Sequence, residues 1–499
     1  MELLANLQLG FEVALTLQNV LYCFLGVFLG TLIGVLPGIG PVATIAMLLP
    51  ATFALPPVSA LIMLAGIYYG AQYGGSTTAI LVNLPGEASS VVTCLDGYAM
   101  AQQGRAGPAL AVAALGSFFA GTVATLILVL FAPPLAEVAF KFGPAEYFSL
   151  MVLGLIAAIV LARGSLVNAL AMILLGLLLG LIGADTNTGQ FRFTFGLPQL
   201  ADGIGFVVVA MGMFGFSEII ANIERRARRE VVMAKITSLF PTREDLKASW
   251  KAVLRGTGIG ALLGILPGGG ATLGSFAAYT LEKKVAKDPS RFGKGAIEGV
   301  AGPESANNAG AQTSFIPLLT LGIPANAVMA LMVGAMTIHG ITPGPQVMTE
   351  RPELFWGMIA SMWIGNLLLV VLNLPLIGIW VKLLSVPYRI LYPAILLFAC
   401  IGVYSLNNSA IDVALALAFG FLGYLFIKLD CEPAPLLLGF VLGPMMEENL
   451  RRALLLSRGD PTVFVTRPLS LALLVVAAAL LVIVVVPAVR RKREEAFQE

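Results

Sequence analysis

Two ladders of glycine, one in each half of the chain, constrain its fold more than any other feature. Glycine recurs at every fourth position from Gly26 to Gly38 and again from Gly256 to Gly268. A helix with this spacing carries a bare stripe against which another backbone can pack closely. Each ladder ends in Pro-Gly, which breaks a helix because proline lacks an N–H group and glycine permits a sharp turn. We therefore predict two related helical hairpins.

The composition places these hairpins in a lipid bilayer. Of the 499 residues, 58% are hydrophobic and only 12% are charged, too few to cover the surface of a soluble protein of this size. Apolar runs near the roughly 20 residues that cross a bilayer recur along the chain, without the alternation typical of barrel strands. We predict an all-α polytopic membrane protein. Its four scattered cysteines indicate neither a disulfide framework nor a metal site.

The basic residues predict how the hairpins enter the membrane. Clusters at 225–229 and 283–294 flank the second ladder, and a third lies at 490–493. The positive-inside rule places all three in the cytoplasm, so the second hairpin has both ends on one side and is re-entrant. Lys and Arg are absent from residues 1–20 and 50–59 around the first ladder, which predicts entry from the outer face. Two related hairpins entering from opposite faces are typical of inverted-topology repeats.

The domain organisation follows from this pattern. The predicted units are a first repeat at 1–235 with a hairpin at 20–54 and a broken helix at 58–84, a cytoplasmic linker at 236–251, a second repeat at 252–465 with a hairpin at 252–281 and a broken helix at 297–324, and a last span with a basic cytoplasmic tail at 466–499.

Each predicted broken helix carries a run of uncharged polar residues. Gly70-Ala71-Gln72 matches Gly310-Ala311-Gln312, and Pro85 pairs with Pro324 after a shift of one residue. Helix breaks in matching places indicate the binding site of a secondary transporter, because they offer N–H groups to carboxylates and carbonyl groups to Na⁺. The residues predicted to bind the substrate or the ion are Pro37, Gly38, Gly40, Thr44, Gln72, Gly75, Ser76, Thr77, Thr78, Asn83, Pro267, Gly268, Gly270, Thr272, Glu304, Ser305, Asn307, Asn308, Gln312, Thr313 and Ser314. The backbone carbonyls predicted to bind Na⁺ lie near Gly38, Gly75, Gly268 and Gly310.

Single residues carry further predictions. Gly40 and Gly270 follow the helix breaks, where glycine allows a positive φ and leaves N–H groups open to a carboxylate. Glu304 is a candidate ligand of the coupling ion or a proton carrier, and a purely structural hydrogen-bonding role is the alternative. The single histidine, His339, is expected to be structural, with proton transfer as the alternative. For the ladders, the alternative is helix packing alone.

These motifs resemble the large membrane subunit of tripartite tricarboxylate transporters, the TctA type. The segments that carry the resemblance are 30–50, 68–87, 96–98, 104–107, 302–310 and 439–451. The resemblance implies a permease of the bacterial inner membrane that acts with a small four-helix membrane subunit and a periplasmic solute-binding protein. It implies import of a carboxylate such as citrate, driven by an ion gradient. Na⁺ is the expected coupling ion, H⁺ is the alternative, and no other cofactor is expected.

By analogy with other hairpin-containing carriers, we expect the hairpins and broken helices to move against the remaining spans in an elevator-like cycle. A substrate-selective channel and a non-transporting scaffold are the alternatives. A channel would need a continuous polar pore, and a scaffold has no reason to keep matched helix breaks. An enzyme is not predicted, because one histidine without Ser or Asp partners forms no catalytic set. No nucleic-acid partner is expected.

Overall fold

The computed structural model describes residues 2–36, 40–162, 165–185, 188–226, 239–266, 270–384 and 388–485. The helices up to residue 226 are α1 Glu2–Ala14, α2 Leu17–Gly34, α3 Pro41–Thr52, α4 Pro57–Val82, α5 Val91–Thr93, α6 Ala99–Gln102, α7 Ala106–Ala139, α8 Pro144–Leu161, α9 Leu166–Gly180, α10 Phe206–Ala210 and α11 Ser217–Arg226. The later helices are α12 Arg243–Gly264, α13 Gly270–Val285, α14 Glu298–Thr313, α15 Phe315–Leu321, α16 Ala327–Ile338, α17 Gln346–Glu350, α18 Pro352–Asn373, α19 Ile377–Leu384, α20 Tyr388–Asn407, α21 Ala410–Lys428, α22 Pro433–Leu456, α23 Val463–Thr466 and α24 Pro468–Val485.

Short irregular elements complete the described chain. The 3₁₀ helices are Ala88–Ser90, Pro198–Leu200 and Pro289–Arg291, and the π-helical segments are Cys94–Tyr98 and Met211–Phe216. Strands β1 Gly183–Ala184 and β2 Phe191–Arg192 pair antiparallel, with Gly183 opposite Arg192 and Ala184 opposite Phe191.

The prediction of an all-α polytopic membrane protein is confirmed at this level. The described helices that are long and apolar enough to cross a membrane are Leu17–Gly34, Ala106–Ala139, Pro352–Asn373 and Ala410–Lys428. Shorter apolar helices such as α9 and α16 accompany them. Helices α4 and α14 are not among the four, and α14, with 16 residues, is shorter than these spans. The direction in which each hairpin enters the membrane stays a prediction.

The glycine ladders are surfaces of close helix packing. A Cβ atom on Gly26, Gly30 or Gly34 of α2 would collide with the backbone carbonyl oxygens of Met63, Ile67 and Ala71 in α4, respectively. A Cβ atom on Gly256, Gly260 or Gly264 of α12 would likewise collide with the carbonyl oxygens of Gly302, Ala306 and Gly310 in α14. Each half of the chain therefore contains the same pair of helices, packed with the same spacing.

The helical segments of the two halves also end in the same backbone conformation, which fixes the alignment of one half with the other. Asn83 after α4 and Gly322 after α15 both adopt the left-handed conformation, with φ of 55° and 71°. Each lies twelve positions after the last carbonyl that a ladder glycine contacts (71 to 83 and 310 to 322). In this register Ala71 corresponds to Gly310, one residue away from the match read in the sequence. The prolines at 85 and 324 then pair without any shift.

The prediction of a broken helix is wrong for the first polar run, and in the second half the helix is interrupted only at the last residue of the run, Ser314. Residues 69–78 lie inside the continuous helix α4, and residues 302–313 lie inside α14. The runs stay helical because neighbouring helices bury them, and because hydroxyls such as those of Thr77 and Thr313 donate to carbonyls four residues earlier. In the second half a turn at Ser314 separates α14 from α15. In both halves the helical segment then ends at a left-handed residue, Asn83 or Gly322.

Both predicted hairpins contain two helices, α2 with α3 and α12 with α13, joined at the end of the ladder. Helix α13 packs along α12 and α14, whereas α3 packs mainly on α4 and on the π-helical segment at 211–216. The predicted site residues Pro37, Gly38, Pro267 and Gly268 lie outside the described residues. Thr242 caps α12, whose first turn therefore occupies part of the predicted linker at 236–251.

One buried carboxylate ties the two halves together. Asp96, 0% exposed, accepts hydrogen bonds at Oδ1 from the backbone N–H groups of Gly293, Gly295 and Ala296 at 2.9, 2.8 and 2.8 Å. Its Oδ2 accepts from the hydroxyl of Tyr279 at 3.1 Å. The loop before α14 is therefore held to the π-helical segment of the first half.

Candidate functional site

Four helices, α3, α13, α16 and α22, begin at one cavity of about 340 Å³. Its lining includes Gly40 to Val42 at the start of α3, Ala271 and Thr272 at the start of α13, and Asn326 to Val328 at the start of α16. The first N–H groups of a helix lack partners within that helix, and the helix dipole adds positive charge at this end. Such convergence favours an anion. No Lys or Arg lines the described wall.

Acidic and polar side chains also line this cavity. Glu87, Glu218 and Glu432 contribute carboxylates, and Tyr68 and Gln72 contribute polar groups from α4. Because helix N-termini favour anions and carboxylates favour cations, the cavity can accommodate charges of both signs close together.

Gly40 and Gly270 both lie at the start of a helix, but neither uses the positive φ that glycine allows. Gly40 has φ of −76° and ψ of 176°, an extended conformation that any residue adopts before a helix that starts with proline. Gly270 is absent from the residues with positive φ. It is restricted by space instead, because a Cβ atom there would lie 2.8 Å from the Cα of Gly264 on the facing arm. At Gly40 the nearest atom would be a carbonyl oxygen at 3.6 Å.

A hydrogen-bonded chain leads from the cavity into the protein. Gln72 Nε2 donates to Asn307 Oδ1 at 3.0 Å, and Asn307 Nδ2 donates to Glu87 Oε1 at 2.9 Å. Behind them, Asn308 Nδ2 donates to Ser117 Oγ at 2.7 Å. Gln72 Oε1 is buried without a hydrogen-bond partner in the described chain. An unpartnered acceptor on a residue that lines the cavity is suited to a ligand that carries a donor or a cation.

Glu304 lies deeper, with 1% of its surface exposed. Its Oε2 accepts from Ser76 Oγ at 2.5 Å, and its Oε1 accepts from Thr93 Oγ1. Among the described residues no Lys, Arg or His forms an ion pair with it. A buried carboxylate without a basic partner requires a cation or a proton to neutralise it. The hydrogen bond from Ser76 to Glu304 also joins the first half of the chain to the second.

Most of the other predicted hydroxyls are engaged within their own helices. The side chains that donate to a carbonyl three or four residues earlier are those of Thr44, Thr77, Thr78, Thr313 and Ser314. Ser305 Oγ and Gln312 Oε1 are buried without partners in the described chain. Asn83 is exposed at its helix end, and His339, after α16, does not line the cavity.

Two of the carbonyls predicted to bind Na⁺ already accept hydrogen bonds. The oxygen of Gly75 accepts from the N–H of Gly86 at 3.4 Å, and that of Gly310 from the N–H of Ser314 at 3.1 Å. A cation at either place would compete with these bonds. The other two carbonyls, near Gly38 and Gly268, lie outside the described residues.

Sequence reasoning missed a pair of residues in the cavity wall. Glu87 and Asn326 occupy equivalent positions, sixteen residues after Ala71 and Gly310 (71 to 87 and 310 to 326), and each is the N-cap of the next helical turn. Asn326 Oδ1 accepts from the N–H of Met329 at 2.9 Å. The signal was present in the sequence, since each follows its proline by two positions.

Comparison with known proteins agrees with this arrangement. The family model described as "Tripartite tricarboxylate transporter TctA family" matches residues 20–438, which include both ladders, the cavity and Glu304. The chain belongs to the TctA family. As a TctA protein it is a multi-pass membrane component of a tripartite transporter that works with partner subunits, and the family is one of transporter components rather than of enzymes.

Two relatives come from Agrobacterium vitis. The "Uncharacterized 52.8 kDa protein in TAR-I ttuC' 3'region" is 62% identical over 499 residues, covering 100% of this chain and 99% of the relative. The "Uncharacterized protein in TAR-II ttuC' 3'region" is 64% identical over 240 residues, covering 48% of this chain and 99% of the relative. No solved structure shows a significant match to this TctA chain.

Proposed function

We propose that this TctA protein is the permease of a binding-protein-dependent system that imports a di- or tricarboxylate across the bacterial inner membrane, driven by a cation gradient. The observation that carries the proposal is the cavity of about 340 Å³ on which α3, α13 and α16 direct their N-termini. Its volume lies at the lower end of the roughly 300–1,000 Å³ common for small-ligand sites. Helix N-termini can hold carboxylate groups there without a buried arginine.

The coupling cation completes this proposal. Glu304 requires a cation or a proton in its buried position, and Glu87 supplies a second carboxylate in the cavity wall. Na⁺ is the proposed coupling ion, and H⁺ is the alternative. The partners are a small four-helix membrane subunit and a periplasmic solute-binding protein that delivers the carboxylate.

For the transport cycle we propose elevator-like alternating access. The ladder pairs α2–α4 and α12–α14, with α3 and α13, would form the moving unit. That these helices move as one body is supported by hydrogen bonds between them, including those from Gln72 to Asn307 and from Ser76 to Glu304.

Counterflow in proteoliposomes tests this function. The protein is reconstituted with its membrane subunit, the vesicles are loaded with one unlabelled carboxylate, and the same labelled compound is added outside with the solute-binding protein. A panel of di- and tricarboxylates is tested in this way. A carrier accumulates label transiently above equilibrium, because it exchanges one substrate molecule for another. Simple equilibration would indicate a channel, and the absence of any carboxylate movement would refute the proposal.

A further inference from the structure

We propose that a monovalent cation of the size of Na⁺ binds in an interior void beside Glu304, at a site formed by α4, α7, α14 and α18. This site deepens the proposed function and rests on it, since it assigns the position of the coupling ion. It differs from the carbonyl groups near the hairpin tips that the sequence indicated.

The void has the size of a single bound ion. It measures about 10 Å³, which is close to the lower limit for holding one water-sized particle. The polar side chains that line it are Tyr73, Ser76, Thr77, Ser117, Glu304 and Asn373. The remaining lining is apolar and comes mainly from α7. The void shares no lining residue with the larger substrate cavity, so the two spaces are separate.

Asn373 gives the strongest indication of a ligand. The residue is 3% exposed, and its Nδ2 donates to the carbonyl of Leu369 at 3.0 Å. This bond fixes which amide atom is the donor. The remaining atom, Oδ1, is buried without a hydrogen-bond partner in the described chain. A buried acceptor without a partner is destabilising, and a cation in the adjoining void would remove that cost.

The hydroxyl groups around the void favour a cation for the same reason. Ser76 donates its proton to Glu304 at 2.5 Å, Thr77 donates to the carbonyl of Tyr73 at 3.1 Å, and Ser117 donates to the carbonyl of Glu304 at 3.3 Å. Because the protons are used elsewhere, these oxygens offer lone pairs. A lining rich in acceptors suits a hard cation, which prefers oxygen ligands, and does not suit an anion.

The charge of the site indicates a monovalent ion. Glu304 is the only charged residue in the described lining of the void, so one positive charge neutralises it and a second would be left uncompensated in an apolar surrounding. The Glu304 carboxylate, the Asn373 oxygen and the hydroxyl groups of Ser76, Thr77 and Ser117 provide enough oxygen ligands to replace the water around a small ion.

The position also explains how the ion and the substrate communicate. Ser76 lies one helical turn after Gln72 on α4, and Glu304 lies one turn before Asn307 on α14. Gln72 and Asn307 are bonded to each other beside the substrate cavity. A cation that draws Ser76 and Glu304 together therefore also sets the spacing of the cavity wall.

Thermal unfolding of the purified full-length protein in detergent tests the site without requiring transport. Unfolding is followed over a range of NaCl concentrations, with choline chloride keeping the ionic strength constant. We expect Na⁺ to raise the Tm of the parent protein. Thr77→Val and Asn373→Leu should each raise the Na⁺ concentration for half of this effect by about tenfold or more, because an oxygen ligand to a charged group is lost. Glu304→Gln should abolish the effect.

The matched control is Thr320→Val. Thr320 is also fully buried and donates to a carbonyl four residues earlier, at 2.7 Å, but it does not line the void. Its Na⁺ dependence should equal that of the parent. A parent Tm that is indifferent to Na⁺, or a response that Thr77→Val and Asn373→Leu leave unchanged, would overturn the site. A response to pH that replaces the response to Na⁺ and disappears in Glu304→Gln would identify a proton instead.

Failure of the proposed function would look different. Carboxylate counterflow would then be missing in the parent protein while the Na⁺-dependent Tm shift remained. If counterflow is present and its Na⁺ dependence is identical in the parent, Thr77→Val and Asn373→Leu, the transporter is confirmed and the cation site is wrong.

Discussion

At the scale of single residues, the amide of Asn307 connects two residues of the substrate-cavity wall, Gln72 and Glu87. Asn307 uses both ends of its amide, accepting from Gln72 at 3.0 Å and donating to Glu87 at 2.9 Å. Its two bonds therefore hold a residue of α4 and a residue of the following loop against α14. No other side chain in the described network joins these three segments.

Replacing Asn307 with Leu should lower the affinity for the carboxylate. Glu87 and Gln72 each lose a partner, and the loss of a hydrogen bond to a charged group costs about 1.5–3 kcal/mol, or roughly ten- to more than a hundredfold in affinity. The measurement is the half-saturating carboxylate concentration in counterflow. The matched control is Asn449→Leu, which removes an amide bonded to the carbonyl of Met445 on α22, remote from the cavity lining. Equal half-saturation in the two variants would contradict the role of Asn307.

At the scale of helices, the ladders and the hairpin tips have separate physical reasons for glycine. Along the ladders a side chain would displace the backbone of the partner helix. At the tips the two glycines differ, since Gly270 is confined by the facing arm and Gly40 is not. The sequence shows glycine at all these positions, and only the contacts in the structure distinguish the ladder glycines from those at the hairpin tips.

Gly260→Ala should destabilise the protein by about 1–3 kcal/mol, because a methyl group meets the carbonyl of Ala306 and forces the helices apart. The control lies on the same helix. Gly258 is exposed and has no atom near its Cβ position, so Gly258→Ala should be neutral or stabilising by up to about 1 kcal/mol. The Tm in detergent distinguishes them. A lower Tm for Gly258→Ala than for Gly260→Ala would show that the ladder is not a close-packed surface.

The tips provide a second comparison. Gly270→Ala should lower the Tm, because its methyl group would lie 2.8 Å from the Cα of Gly264, whereas Gly40→Ala should keep the parent Tm, with its nearest contact at 3.6 Å. Gly40 lines the substrate cavity, so a bulkier residue there should raise the half-saturating carboxylate concentration without loss of stability. Equal Tm losses for the two alanine variants would refute this difference.

At the scale of the whole molecule, sequence reasoning was most reliable where the same pattern occurs twice. The ladders and the paired prolines could be recognised because their spacing recurs in both halves of the chain. The register was displaced by one residue, because glycine and alanine alternate too freely to fix it and the left-handed ends at 83 and 322 are visible only in the backbone.

Contacts between distant residues lay beyond sequence reasoning. Arg451 donates to both oxygens of Asp185, at 3.1 and 2.8 Å, across 266 positions of the chain. This pair holds the β1–β2 hairpin against α22. The Asn373 oxygen was likewise missed, because a lone asparagine at the end of an apolar helix carries no pattern.

Membrane topology gives a further prediction. In the described chain α12 and α13 pack against each other as a hairpin, so their outer ends lie on one side. Single cysteines at Glu244 and Ser290, both exposed, should react with a membrane-impermeant thiol reagent only from the cytoplasm. A cysteine at Thr188 should react only from outside. The background is a variant without the four native cysteines. Labelling of positions 244 and 290 from opposite faces would exclude the inverted-repeat arrangement.

The bond between Ser76 and Glu304 also has a consequence for biosynthesis. Its two residues are 228 positions apart, and at roughly 5–20 residues per second the ribosome needs roughly 10–50 s to make the intervening chain. During that interval the polar face of α4 has no α14 to satisfy it, and α2 can cover only the side that faces the ladder. We therefore expect the first half to stay beside the insertion machinery until its counterpart has been synthesised.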